Sequence, residues 1–500
     1  MIRNVIEYLQ NSARCYPDKV AVVDDKKQIT FRELEDSAIA IASVIYERLG
    51  GEKNQPIAVY MEKGVDCIVA FMAIVYSGNF YSPIDIHSPQ DRVKLMFDVL
   101  HPKMILTTSD IIIKERGERT LNIDDVKLDQ DKKDYSVEKI LKKHLDVDPL
   151  YVLFTSGSTG VPKGVVISHQ AMIDYSEWLA ETFIFDSHTI FGTQAPFYFD
   201  NSTLDIYQTI RNGSTMVIIP ENFFVFPKKV ITFLNNNKVN TIFWVPSALI
   251  GMANSGVLEE NKLEYLQKVM FCGEVMPVKP FNIWKKYYPQ CMFANLYGPT
   301  EITDVCAYYI VKRDFDETEV LPIGSACRNT EILVLDENNT LIEESNTAGE
   351  LCVRGTCLSL GYYGKKDKTQ EAFVQNPLND NYRDYIYRTG DIVKYNDQGE
   401  LVYLCRKDSQ IKYQGHRIEL GEIDSAGYSI EGIGQACAIF NGDIIVFYCS
   451  LLKDLTEKEI YADLKMKLPR YMLPKKIKIL KEIPLNANGK LDRGWLNNLD

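Results

Sequence analysis

Short runs rich in β-branched and aromatic residues recur along the chain, at 56–61, 215–219, 241–245, 268–271 and 292–295. Stretches of helical period separate them, at 65–75, 227–234 and 278–286. The first pattern predicts strands and the second helices. Their alternation over such a length predicts an α/β core on largely parallel sheets. From 324 to 402 strand signals dominate, with turns at 336–339 and 396–399, so an antiparallel or barrel-like β subdomain is expected there. The remaining C-terminal residues mix helix and strand again and predict a second, smaller domain. The stretch 127–143 is dense in charge and reads as an exposed helix or loop.

Composition narrows the classes. A chain of 500 residues, 46% hydrophobic and 25% charged, has the make-up of a globular protein with volume for two or three domains. A net charge of −12 argues against a general nucleic-acid binder, which needs a surface that neutralises phosphate. No apolar run is long enough to span a bilayer, and the N-terminus lacks the apolar stretch and cleavage site of a secretory signal. The expected setting is the cytoplasm, with neither membrane nor nucleic acid as partner. Eleven scattered cysteines without a CxxC pair, and six dispersed histidines, predict buried free thiols and neither a disulfide framework nor a zinc site. The charge is uneven. Residues 409–500 carry 13 basic against 12 acidic side chains, leaving −13 on residues 1–408. Between Lys465 and Lys481 stand seven basic residues and no acidic one.

One loop brings chemistry into view. A strand at 151–154 runs into Thr155-Ser-Gly-Ser-Thr-Gly-Val-Pro-Lys-Gly164, and a second strand follows at 165–167. Glycines let backbone N–H groups converge, hydroxyls donate to phosphate oxygens and lysine adds a point charge, which together suit a polyphosphate. A Walker A loop is excluded, because Gly164 follows the lysine and a strand follows the loop.

That loop resembles the signature of the adenylate-forming superfamily, which comprises acyl-CoA synthetases, luciferases and nonribosomal peptide adenylation domains. Further motifs follow in the family's order. They are Phe199-Asp-Asn-Ser202, Asn295-Leu-Tyr-Gly-Pro-Thr-Glu301, Gly349-Glu-Leu-Cys-Val-Arg-Gly355, Tyr387-Arg-Thr-Gly-Asp391, Arg406-Lys-Asp-Ser-Gln-Ile-Lys412 with Gly415-His-Arg-Ile-Glu-Leu-Gly-Glu422, and Asn488-Gly-Lys490. The resemblance implies a large N-terminal AMP-binding domain, residues 1–407, of two stacked α/β subdomains plus a barrel-like β subdomain. A small mobile α+β lid, residues 408–500, would hinge near Asp408.

The implied reaction joins a carboxylate to the α-phosphate of ATP, releases pyrophosphate, and passes the acyl group to a thiol. By resemblance Lys490 bridges the substrate carboxylate and the phosphate or ribose oxygens. Thr155, Ser156, Gly157, Ser158, Thr159, Gly160 and Lys163 hold phosphate, and Thr300 touches it. Glu301 holds Mg²⁺, Asp391 accepts the ribose hydroxyls with Arg406 assisting, and Asn295 and Tyr297 meet adenine. Leu296, Gly298, Pro299 and Tyr403 complete the nucleotide site.

Asp200 stands where amino-acid-activating members pair the substrate's α-ammonium. Fatty-acid and aryl-acid activators usually lack a carboxylate there, because an unpaired buried charge is costly. The implied side-chain pocket comprises Asn201, Leu204, Trp244, Met270, Cys272, Leu296, Asp304 and Val305. Trp244 would fill volume and favour a small substrate. The segment Phe271-Cys-Gly-Glu-Val275 also resembles D-alanine–carrier protein ligases, but Asp304 falls where those carry an apolar residue. The chain leaves no room after Lys490 for a carrier domain, so the thiol is expected in trans, on a phosphopantetheinyl carrier protein, with coenzyme A as the alternative.

Overall fold

A computed structural model of the protein describes residues 2–111, 119–127, 139–157, 161–407, 410–484 and 491–499. Two compact units emerge. The large one holds Met1–Ile84, His101–Leu153 and Val165–Cys405; the small one holds Asp85–Leu100, Phe154–Gly164 and Arg406–Asp500. The chain's passage from one unit to the other at Arg406 lies two residues before Asp408. Two earlier segments, the helix Gln90–Leu100 and the phosphate loop, group with the small unit as well.

In the large unit, nine strands form one sheet in the order Ser325–Ala326, Ala307–Ile310, Met292–Tyr297, Lys268–Phe271, Thr241–Trp244, Ile190–Thr193, Thr215–Ile218, Val20–Val23 and Gln28–Thr30. Its inner strands, from Met292–Tyr297 to Val20–Val23, pair in parallel, and antiparallel strands close both edges. A second sheet of six strands contains Pro56–Val59 and Pro149–Thr155. The helix Val65–Tyr76 buries every residue except Asp66, as an all-round apolar helix must. The β-rich stretch forms a five-stranded antiparallel sheet around the long strand Tyr385–Tyr395. The predicted strands and helices occur at the expected places, with ends moved by a residue or two. Most of the charge-dense stretch 127–143 lies outside the described residues.

Strand register decides which side chains share a face. Thr241–Trp244 pairs with Lys268–Phe271 so that Phe243 stands beside Met270 and Trp244 beside Phe271. Phe243, Met270, Cys272, Ala294 and Leu296 then pack into one core, while Trp244 and Phe271 pack into another with Leu249 and Trp284.

The small unit is built on a three-stranded sheet, Ile433–Phe440, Ile445–Leu451 and Lys476–Leu480, and a hairpin of Gln410–Tyr413 with His416–Glu419. Its helix Glu457–Lys467 starts on a reciprocal cap between Thr456 and Glu459. All eleven cysteines are free thiols, and only Cys15 and Cys405 are exposed. Among the described residues no three potential ligands cluster for a metal, and no helix is long and apolar enough to cross a membrane.

Candidate active site

The motif 295–301 leaves the strand Met292–Tyr297 and turns at once into the short helical turn Thr300–Ile302. Gly298 makes that turn feasible: a Cβ there would lie 2.3 Å from the Asp304 carbonyl oxygen. The turn carries Glu301 into the interior, fully buried, where the Tyr362 phenol donates to its carboxylate at 2.7 Å. Thr300 is aimed the other way. Its hydroxyl donates to Asp200 Oδ2 at 2.5 Å, and the Asn201 N–H donates to Asp200 Oδ1 at 2.9 Å. Asp200 precedes the helix Ser202–Asn212, whose N-cap position, Asn201, makes no side-chain cap. The Asp200 carboxylate is thus oriented toward the 295–301 motif rather than used as a conventional helix cap.

Elsewhere in the large unit, the Tyr297 phenol donates to Asp391, which is buried. Asp391 is held in turn by Thr389, whose hydroxyl accepts from its N–H at 2.9 Å. The Tyr297 and Tyr403 rings lie 6.5 Å apart. Asn295 donates its side-chain amide to the Pro322 carbonyl at 2.8 Å.

The residues expected around the side-chain pocket do not all share one core. Leu204, Met270, Cys272, Leu296 and Val305 share one buried core, and the Asn201 amide reaches the Cys272 carbonyl at 3.4 Å. Trp244 lies on the opposite face of its strand, packed against Phe224, with its indole N–H donating to the Gly192 carbonyl at 2.7 Å. It packs in a different core from Met270, Cys272 and Leu296.

Asp304 is 1% exposed. The Tyr175 phenol donates to its Oδ2 at 2.6 Å, and its Oδ1 has no hydrogen-bond partner among the described residues. Burial and then the nearby Asp200 charge hold its pKa well above the ordinary carboxylate range. Tyr175 and Tyr362 are site residues that motif reading missed. Each sits far along the chain from its partner, and no local pattern marks either.

Close by is a second buried acid. Asp205, on the helix Ser202–Asn212, makes no hydrogen bond of acceptable geometry, and neither does the neighbouring Thr193 hydroxyl. Burial pushes Asp205 up to about 7, against the pull of Lys63. Burial likewise brings Lys63 down to about 8, although Asp205 is among the charges that oppose the shift. The Lys63 ammonium donates to the Gln194 carbonyl at 2.9 Å.

In the small unit, Thr155 ends one strand and Lys163 begins the next. Gly157 lets the loop fold tightly, since a Cβ there would lie 2.0 Å from the Val161 carbonyl oxygen. The Ser156 hydroxyl donates to the Arg417 carbonyl at 2.9 Å and accepts from the Glu419 N–H at 3.2 Å. Thr155 Oγ1 is buried without a hydrogen bond among the described residues, and the Gly157 amide faces the Glu422 carboxylate. Glu422 pairs with Arg92, each buried, and the His416 ring stacks on Tyr471 at 3.8 Å. Arg406 ends the strand Leu401–Arg406. Ser158, Thr159, Gly160, Asp408 and Lys490 lie outside the described residues.

Comparison with known proteins gives this arrangement a context. Residues 9–363 match the family described as AMP-binding enzyme, and residues 422–490 match the AMP-binding enzyme C-terminal domain. Zwittermicin A synthase ZmaJ of Bacillus cereus is 31% identical over 95% of this chain and 91% of its own length. A D-alanine–D-alanyl carrier protein ligase of Staphylococcus aureus is 30% identical over 98% of both chains. The Vibrio cholerae adenylation domain AlmE, solved with glycyl-adenosine-5'-phosphate, shares the fold with a TM-score of 0.85 at 20% identity, over 100% of this chain and 98% of its own.

Proposed function

The chain belongs to the AMP-binding enzyme family, and from that premise we propose that it activates an amino acid with ATP and passes it to the phosphopantetheine thiol of a carrier protein in trans. It is an AMP-forming ligase. The amino-acid reading rests on Asp200, whose carboxylate is oriented by the Thr300 hydroxyl and the Asn201 amide. A carboxylate held this way pairs with an α-ammonium, whereas an acid lacking one would leave its charge uncompensated.

Both reactants of the first step are anions, so the residues act by positioning and by neutralising charge. The substrate carboxylate attacks the α-phosphorus and the bond to pyrophosphate breaks, giving the aminoacyl adenylate. Lys490 bridges the two reacting groups. Lys163 and the hydroxyls and amides of Thr155 to Gly160 hold the phosphates, a role supported by the unpartnered Thr155 hydroxyl. Asp391 takes the ribose hydroxyls beside Tyr297, with Arg406 assisting. Glu301 would hold Mg²⁺, which binds through one or two carboxylates with phosphate oxygens and water, and which neutralises charge on the departing pyrophosphate when bound. In the second step the carrier thiol attacks the acyl carbonyl and AMP leaves. The domain 408–500 pivots at Asp408 between the two steps.

ATP–pyrophosphate exchange with each L- and D-amino acid tests the reading. Exchange with one of them, lost at least about 100-fold in Lys490→Ala, is the expected result; exchange with none overturns it. Transfer of the activated acid to free coenzyme A rather than to a carrier protein would reassign the second step. D-Alanine is the second reading, favoured by the near full-length match to the staphylococcal ligase, and the same panel decides it.

A further inference from the structure

Resting on that reading, the geometry points to a diamino acid as the substrate: Asp200 takes the α-ammonium, and the free Oδ1 of Asp304 takes a second ammonium carried on the side chain.

Asp304 is a built position. Thr303 and Asp304 both hold left-handed backbone, at φ 61° and 71°, which non-glycine residues adopt only at a cost. The structure around them enforces it. The Thr303 hydroxyl donates to the Cys357 carbonyl at 2.8 Å, and Gly298 lets the Asp304 carbonyl approach to where a side chain would collide. The Tyr175 phenol then fixes the rotation of the carboxylate through Oδ2, leaving Oδ1 buried and unused.

The residue type carries the argument. An asparagine would accept the same phenol hydrogen bond and would put no charge near Asp200. A carboxylate raises the cost of burial twice, through its own desolvation and through Asp200. Without a cation the acid meets both by staying protonated; a cationic ligand would offset both and keep the carboxylate charged. Asp205, the other acid in the vicinity, already has Lys63 beside it. No ion pair reaches Asp304 among the described residues.

The test compares kcat/KM for ATP–pyrophosphate exchange with 2,3-diaminopropionate, 2,4-diaminobutyrate, ornithine and lysine against serine, alanine, glycine and norvaline, in both configurations. One diamino acid should exceed every neutral amino acid by roughly 100-fold, the scale of losing one partner of a buried charge pair. Asp304→Asn, which keeps the phenol contact, should lose most of that preference, read as the ratio of kcat/KM for the diamino acid to kcat/KM for the neutral ones. Tyr175→Phe should weaken the preference less. A neutral amino acid favoured by the wild type, or an Asp304→Asn enzyme with unchanged preference, overturns the diamino-acid assignment and leaves amino-acid activation standing. Exchange with no amino acid overturns both.

Discussion

Two pairs of acids, one pair in each unit, are treated differently. In the small unit Glu422 and Asp424 are matched with guanidinium groups, Arg92 and Arg493 respectively. Burial still raises both acids, Asp424 to about 6, but each has a permanent cation opposing that shift. In the large unit Asp304 meets a phenol and a second carboxylate, and Asp205 meets a lysine that burial itself has weakened. An arginine partner spends a carboxylate on the fold. A carboxylate given only a hydroxyl donor is left to titrate, which is where ligand-binding groups are commonly found.

Removing a guanidinium should therefore hurt far more than neutralising an acid of the large unit. Arg92→Met leaves Glu422 buried without its cation and should cost about 3–5 kcal/mol of stability in urea unfolding. A loss below about 1 kcal/mol would erase the distinction. The pH dependence sharpens it next. Asp205 has its pKa raised by folding, so its contribution to stability is complete below the ordinary carboxylate range and is lost as the pH rises through about 7. Asp205→Asn should flatten the decline in melting temperature between pH 5 and 8, removing about 1–2 kcal/mol of pH dependence. An unchanged slope would show that Lys63 already neutralises the acid. Asp304→Asn should leave stability unaltered or raise it by about 1 kcal/mol, since it removes charge repulsion and keeps the Tyr175 contact; clear destabilisation would make that acid structural.

The smallest expected effect concerns the surface of the small unit. Lys475, Lys476 and Lys478 line a groove of about 430 Å³ with Tyr461. Reversing Lys475 and Lys476 to glutamate should slow carrier loading a few-fold, less at high salt, while pyrophosphate exchange holds. Equal effects on both half-reactions would remove the basic edge from carrier recognition.

Much of this was legible in the amino-acid order. The strand and helix runs and the motifs that carry the family resemblance rest on local pattern, and local pattern survives folding. Trp244 shows where it stops. A strand buried on both faces is apolar throughout, so nothing along 241–245 tells which residues point to the pocket. Only pairing with Lys268–Phe271 settles that Trp244 turns away. Tyr175 and Asp304 meet across 129 residues of chain, and Arg92 and Glu422 across 330. Such partners are joined by topology, and a reading confined to motifs names at most one of each pair.

The register of the central strands also sets a parity rule for changing what the enzyme accepts. Along each strand, alternate positions belong to different cores. Substitutions at Phe243, Met270, Cys272 or Leu296 address the core shared with the pocket. Their immediate neighbours Trp244 and Phe271 address a separate packing problem on the far side. A library that varies consecutive residues thus dilutes half its diversity into scaffold damage. One that steps by two along the strand, and jumps laterally by register, keeps its variation where selectivity is decided.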